Sequence, residues 1–287
     1  MKSSAAGVPP NPREGRLLTT DGVDICATYR PAPQGVPHDP VIVVGHGFTG
    51  FRAKADNLRI AERLNQHLAV VDLDYRGHGS SGGTSSLGMR EVLDLDAAIA
   101  WARDQGHQKV VSLGFSMGSA IAVRQAALTR TTDRGPLALT AENAPDAVVS
   151  VSGTAFWFYR GTAPMRLVHR AVSTPVGRAV LARVSHTRVD VGDWEAEELG
   201  YSPEEAAAYL APIPFLLVHG DADTYFPLEH PEAVHRGAVQ GARDRGFEPK
   251  IDLWIEPGFA HAEAAVDDEL LDRICAWALS MAGGETS

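Results

Sequence analysis

Residues 109–118 read Lys-Val-Val-Ser-Leu-Gly-Phe-Ser-Met-Gly, and no other ten residues restrict the fold as much. An apolar run through Val110, Val111 and Leu113 stops at Gly114, and a helix-compatible stretch, Ser-Ala-Ile-Ala-Val-Arg-Gln-Ala-Ala-Leu, follows Gly118. Between them stands Gly-x-Ser-x-Gly with Ser116 at its centre. A strand that turns this sharply into a helix brings the two backbones close together, and a Cβ on either side of the turn would not fit. The serine is thereby held in a strained conformation with its hydroxyl above the sheet. The bare motif is weak; flanked by a strand and a helix, it predicts a strand–turn–helix unit.

The rest of the chain repeats that alternation, which predicts an α/β fold: a mostly parallel central β-sheet flanked by helices. Segments 16–20 and 23–30, around Asp21-Gly22, form a predicted antiparallel hairpin at the sheet edge. Strands are then expected over 41–44, 68–72, 147–151, 215–219 and 250–255, and helices over 54–65, 89–105 and 262–281. The interval 152–214 breaks the pattern. Three helices are expected there, near Pro164, at Thr174-Pro175, and at Ser202-Pro203-Glu204-Glu205, where Ser202 and Glu205 make a capping box. An insertion of this size between two strands predicts a helical cap over their C-terminal ends. The division is a flexible leader over 1–15, a core over 16–151 and 215–283, and the cap over 152–214.

The cap is lopsided in charge. Between Gly153 and Val189 lie six arginines (160, 166, 170, 178, 183 and 188) and no acid, and between Asp190 and Glu205 lie seven acids and no base. Either the halves neutralise each other or the basic half faces the pocket and attracts anionic substrates. Phe156, Trp157, Phe158, Tyr159 and Trp194 either line an apolar pocket or pack the cap onto the sheet, with packing expected for at least half of them. The formal charge of the 287-residue chain is −10, which argues against nucleic acid or an anionic membrane as partner. Cys26 and Cys275, at opposite ends of the chain in apolar contexts, are expected as free buried thiols, as in a reducing cytoplasm. The oligomeric state is left open.

A serine hydroxyl is a poor nucleophile at neutral pH and needs a base, which in turn needs an orienting group. The strand ending at His219 runs into Gly220-Asp221-Ala222-Asp223, so two carboxylates lie just past its C-terminal end. The strand ending at Ile255 runs into Glu256-Pro-Gly-Phe-Ala-His261. Serine, carboxylate and imidazole follow one another along the chain from three strand ends of one parallel sheet, where open α/β sheets place their sites. The first strand of the parallel set leads into Gly45-His46-Gly47-Phe48-Thr49-Gly50. Its glycines let amides point inward, so the N–H groups of Phe48 and Met117 are the expected donors to a developing oxyanion. His46 and His78 are expected in structural roles. A metal site from His219, Asp221 and Asp223 lacks a second histidine at ligand spacing, so neither metal nor cofactor is expected.

These residues resemble the α/β-hydrolase fold family, in its serine-nucleophile branch, from about Arg16 to Met281. The resemblance rests on His46-Gly47-Phe48, Asp74-Tyr-Arg-Gly-His-Gly-Ser-Ser81, the turn at Ser116, His219-Gly-x-x-Asp223 and Gly258-Phe-Ala-His261. In that pattern the acid is the second carboxylate, Asp223, with Asp221 the alternative. Ser119 departs from it, standing where many relatives have a third glycine. The resemblance implies a hydrolase that cleaves the carboxylic ester of a small-molecule acyl substrate through Ser116, His261 and Asp223. The arginine-rich half keeps thioester hydrolysis of acyl-CoA or carrier-bound acyl groups as an alternative. A non-catalytic ligand-binding member of the fold is the alternative from a different class.

Overall fold

The computed structural model describes residues 11–131, 137, 139–192 and 200–282. In chain order its strands are β1 (Arg13–Leu18), β2 (Asp24–Arg30), β3 (Val41–Gly45), β4 (Ala69–Leu73), β5 (Val110–Phe115), β6 (Ala147–Val151), β7 (Phe215–Gly220) and β8 (Ile251–Glu256). They form one sheet in the order β1-β2-β4-β3-β5-β6-β7-β8. The edge hairpin β1–β2 is antiparallel, β2 meets β4 antiparallel, and the neighbours from β4 to β8 are parallel. The helices are α1 (Ala55–Leu64), α2 (Val92–Asp104), α3 (Met117–Leu128), α4 (Ala163–Ser173), α5 (Pro175–Val184), α6 (Pro203–Ala207), α7 (Glu229–Asp244), α8 (Ala262–Ala265) and α9 (Asp268–Ala282).

Alternation along each strand explains why helices cover both faces. Val41 and Val43 of β3 join the core cluster beneath α2 and α3, and Ile42 and Val44 join the one beneath α1 and α9. Phe215 and Leu217 of β7 are divided from Leu216 and Val218 in the same way. A strand buried on both sides has no polar face, so it reads as an unbroken run of Val, Ile and Leu. Each such side chain withdrawn from water contributes about 1.5–3 kcal/mol.

Several elements differ from the sequence expectation. β1 begins at Arg13, inside the stretch 1–15 expected as leader; Arg13 pairs in register with Tyr29 and its guanidinium lies 4.8 Å over that ring. Residues 1–10 of the leader lie outside the described residues. The closing helix is broken: Val266 adopts an extended conformation after α8, and the Asp267 carboxylate accepts the Leu270 N–H at 2.8 Å to start α9. α7 has no counterpart in the expected elements. The capping box at Ser202 forms in full, but it opens a helix of only five residues. Ala206, Ala207 and Leu210 pack into the main core, so α6 is bound into the sheet layer, unlike α4 and α5, whose residues contribute to neither core cluster. Cys26 and Cys275 are buried and free.

Candidate active site

The sheet order fixes where a site can form. From β3 the chain passes through α1 to β4 on one side; from β4 it passes through α2 to β5 on the other side of β3. The loops leaving β3 and β5 therefore diverge to opposite faces, and a crevice opens between them at the carboxyl edge. The glycine-rich loop 45–50 leaves β3 there, and Ser116 leaves β5.

Ser116 sits at φ +50° between β5 and α3, a conformation L residues rarely adopt. Both glycines of the motif have a steric reason. A Cβ on Gly114 would lie 2.1 Å from the Gly118 carbonyl oxygen, and one on Gly118 would lie 2.4 Å from that of Gly45. The turn thus presses the start of α3 against the end of β3. The Ser116 N–H donates to the Val151 carbonyl at 2.9 Å, tying the turn to β6.

His261 and Asp223 converge on this serine. Asp223 follows β7, and its Oδ1 accepts the N–H groups of Tyr225 and Phe226 at 2.8 and 3.1 Å. Its Oδ2 lies 2.7 Å from His261 Nδ1. A carboxylate is an acceptor only, so Nδ1 carries the proton, and the neutral imidazole then offers the lone pair of Nε2. That nitrogen lies 3.0 Å from Ser116 Oγ and accepts its hydroxyl proton. The Asp223 side chain is wholly buried and that of His261 is 17% exposed, so the acid is dry and the imidazole faces the cavity. Tyr225 stacks on the imidazole, with ring centroids 4.2 Å apart. Behind Asp223, His219 Nε2 donates to the Phe226 carbonyl at 2.7 Å; burial holds its imidazole below the usual histidine range.

Asp221 is exposed and, among the described residues, its side chain accepts only from the Gly258 N–H, at 2.7 Å, away from His261. His219, Asp221 and Asp223 therefore do not surround a common point. His38, Asp39 and His107 do bring ligand atoms within 4.8 Å at the opposite edge of the sheet. There the His107 nitrogens are already engaged with Asp39 and Tyr29. His46 bonds backbone through both nitrogens: Nδ1 donates to the Gly47 carbonyl and Nε2 accepts the Tyr75 N–H. Burial keeps it well below the usual histidine value, hence neutral.

Phe48 and Met117 flank Ser116 in the wall of a cavity of about 720 Å³. Among the described residues neither backbone N–H has an acceptor. One participant has no counterpart in the sequence reading. Glu263, two residues after His261, reaches across the site, and its Oε1 accepts the Gly47 N–H at 2.5 Å. It ties the histidine loop to the loop after β3. A single sequence carries no signal for this contact, because its partners are 216 residues apart.

The upper wall of the cavity comes from residues between β6 and β7. Phe156, Trp157, Phe158 and Tyr159 all line it, although packing alone was expected for at least half of the cap aromatics; Phe156 and Tyr159 also pack on His230. Trp194 lies outside the described residues, as do the acids within 193–199. None of the six arginines lines the cavity, and among the described residues none pairs with a carboxylate. Arg166, Arg178 and Arg188 donate instead to backbone carbonyls.

Sheet order, the turn at Ser116 and the segment lying over the carboxyl edge define an α/β-hydrolase fold. Residues 40–134 match the family model described as alpha/beta hydrolase fold. The chain is 29% identical over 266 residues to the monoacylglycerol lipase of Mycolicibacterium smegmatis, covering 84% of this chain and 88% of that protein. It is 24% identical over 230 residues to human Protein ABHD12B, covering 78% of this chain but 56% of that protein, so it spans little more than half the length of that relative. Among solved structures, the esterase Pf2001 of Pyrococcus furiosus superposes with a TM-score of 0.68 at 19% identity, over 95% of this chain and 94% of that one. At that identity the likeness is one of fold.

Proposed function

We infer that the protein is a serine hydrolase that cleaves a carboxylic ester through an acyl-enzyme. One observation carries this reading: the unbroken relay from Ser116 Oγ through His261 to Asp223, at 3.0 and 2.7 Å, in the wall of a mostly apolar cavity. Ser116 Oγ attacks the acyl carbon while His261 Nε2 takes its proton. The N–H groups of Phe48 and Met117 receive the oxyanion, and buried Asp223 stabilises the imidazolium. The imidazolium returns the proton to the departing alkoxide, leaving the acyl group on Ser116. Water deprotonated by the same nitrogen then releases the acid and restores the hydroxyl. The steps involve these side chains alone, without cofactor or metal.

The substrate class follows from the walls. Aromatic and aliphatic side chains over the nucleophile suit an uncharged acyl chain of small to medium length, and the cavity volume is within the range of small-molecule pockets. In this reading α4 and α5, within the insertion 152–214, act as the cap over the core 16–151 and 215–283. The names of the two similar proteins, an esterase and a monoacylglycerol lipase, agree with ester hydrolysis. Thioester hydrolysis of acyl-CoA draws no support from the cavity wall, which contains none of the cap arginines. Cys26 and Cys275, free and buried, suit a cytoplasmic protein. The test is kcat/KM over p-nitrophenyl esters of increasing acyl length, with an acyl-CoA of matched chain. A neutral ester with a medium acyl chain should be preferred, with no gain for the CoA form at low salt. Turnover of no ester in the series would refute the reading.

A further inference from the structure

The outer face of the α4–α5 pair is unlike the rest of the surface. On α5, Val176, Val180 and Val184 recur at i, i+4 and i+8, the spacing of one helix face. They are 75%, 53% and 74% exposed, and Leu167 on α4 is 69% exposed. These are half of the large apolar side chains so exposed among the described residues, gathered on two consecutive helices. Single exposed apolar residues are ordinary, but a contiguous stripe rimmed by charge marks a contact surface.

The inner face of the same pair roofs the cavity through Met165, Val168, Ala171 and Leu181, and Leu167 belongs both to the cavity wall and to the exposed face. The apolar surface is therefore continuous from outside the cap to the pocket above Ser116. The rim is basic. Arg166, Arg170 and Arg183 are exposed on these helices, and no Asp or Glu occurs between Gly153 and Val189. A formal charge of −10 for the whole chain conceals this local excess.

We propose that the outer face of α4–α5 docks on an anionic lipid surface, with the valine stripe in the headgroup–acyl boundary and the arginines among the headgroups. Charge decides between occupants. A second copy on this face would set arginines against arginines with no acid of the patch to receive them, which is repulsive. A soluble anionic substrate is not the occupant either, since the arginines lie outside the cavity. Anionic lipid supplies both complements at once: negative headgroups for the rim and hydrocarbon for the stripe. Docking there holds the cavity rim at Leu167 against the layer, and it does not depend on the chemistry assigned to Ser116.

The full-length protein is sedimented with phosphatidylcholine vesicles, with and without phosphatidylglycerol. Each arginine near an anionic surface contributes about 1 kcal/mol, or about fivefold in partitioning. The wild type should therefore partition at least tenfold more strongly onto the anionic vesicles, and less so at high salt. Arg170→Gln with Arg183→Gln should lower that partitioning about 25-fold, two factors of about five. Val176→Ser, Val180→Ser and Val184→Ser together should lower it at least tenfold, with the far-UV circular dichroism of the folded protein retained because these side chains are mostly exposed. Equal binding of the wild type to both vesicles, or unaltered binding by both variants, overturns the proposal. So does a wild-type dimer in sedimentation velocity that the valine variant dissolves, since a second copy would then cover the face.

Discussion

Gly118→Ala tests how tightly the turn at Ser116 is built. A methyl group there would stand 2.4 Å from the Gly45 carbonyl oxygen and 2.8 Å from that of His46. Both are backbone atoms at the root of the loop that carries Phe48, and no flexible side chain can swing away to make room. To restore a carbon–oxygen contact of about 3.2 Å, the two segments must separate by about 0.8 Å, enough to force backbone shifts as overpacked cores do. The separation falls between the two amides proposed to bind the oxyanion, Phe48 on one segment and Met117 on the other. Displacements near 1 Å in a reacting geometry cost about 10²-fold, so kcat should fall by about 30- to 100-fold. KM should change little, because the cavity walls that hold the acyl chain are untouched. Overpacking should also lower stability by about 1–3 kcal/mol. Steady-state kinetics on a preferred ester and urea unfolding would read both effects. Wild-type kcat in a fully folded Gly118→Ala protein would refute the packing argument.

Glu263→Ala leaves the Gly47 N–H without its acceptor, at a cost of about 1–3 kcal/mol that should appear as a 5- to 150-fold loss in kcat. Glu263→Gln keeps an acceptor and should recover most of it; equal losses in the two variants would remove the positioning role. Asp223→Asn presents an amide N–H to His261 Nδ1 and disfavours the tautomer the relay needs, so kcat should drop about 10³- to 10⁴-fold. Asp221→Asn should stay within a few-fold, and the reverse ranking in ester turnover would reassign the acid. Burial, with His219 as a lesser cause, pushes His230 from 6.5 down to about 4. The unfolded chain therefore takes up a proton that the folded one refuses; this contribution is present above pH 6.5 and is lost as pH falls toward 4. Between pH 7 and 5 unfolding should become easier by about 2 kcal/mol from this residue alone. His230→Gln should flatten the pH slope of urea stability, and an unchanged slope would count against a buried neutral imidazole.

What could be read from the residues was whatever local chemistry dictates. The turn at Ser116 is legible because two glycines, a strand and a helix occupy adjacent positions, and steric exclusion permits few other sequences there. Asp223 and His261 are legible because each follows the end of a strand, β7 buried throughout and β8 half-exposed at the sheet edge, and strand ends share one edge. The buried face of α7, which has no counterpart in the sequence expectation, consists of His230 and Pro231 at its start and then Ala233, Val234, Ala238, Gly241 and Ala242. The reason for the small residues is tertiary: a Cβ on Gly241 would strike the Ala208 carbonyl oxygen at 2.3 Å, so close packing on the segment after α6 selects them. The placing of α6 in the core, and the reach of Glu263 to Gly47, are tertiary facts without a local signature. The arginines of the cap are visible in the sequence as a count, but their place outside the cavity follows from the tertiary fold.

The most direct measurement is covalent. The wild-type protein should react with a fluorophosphonate to give one phosphonyl group per chain, located by peptide mass mapping on Ser116, and His261→Ala should react far more slowly. Labelling of another residue, or a folded protein that takes up no probe, would contradict a nucleophile at the end of β5.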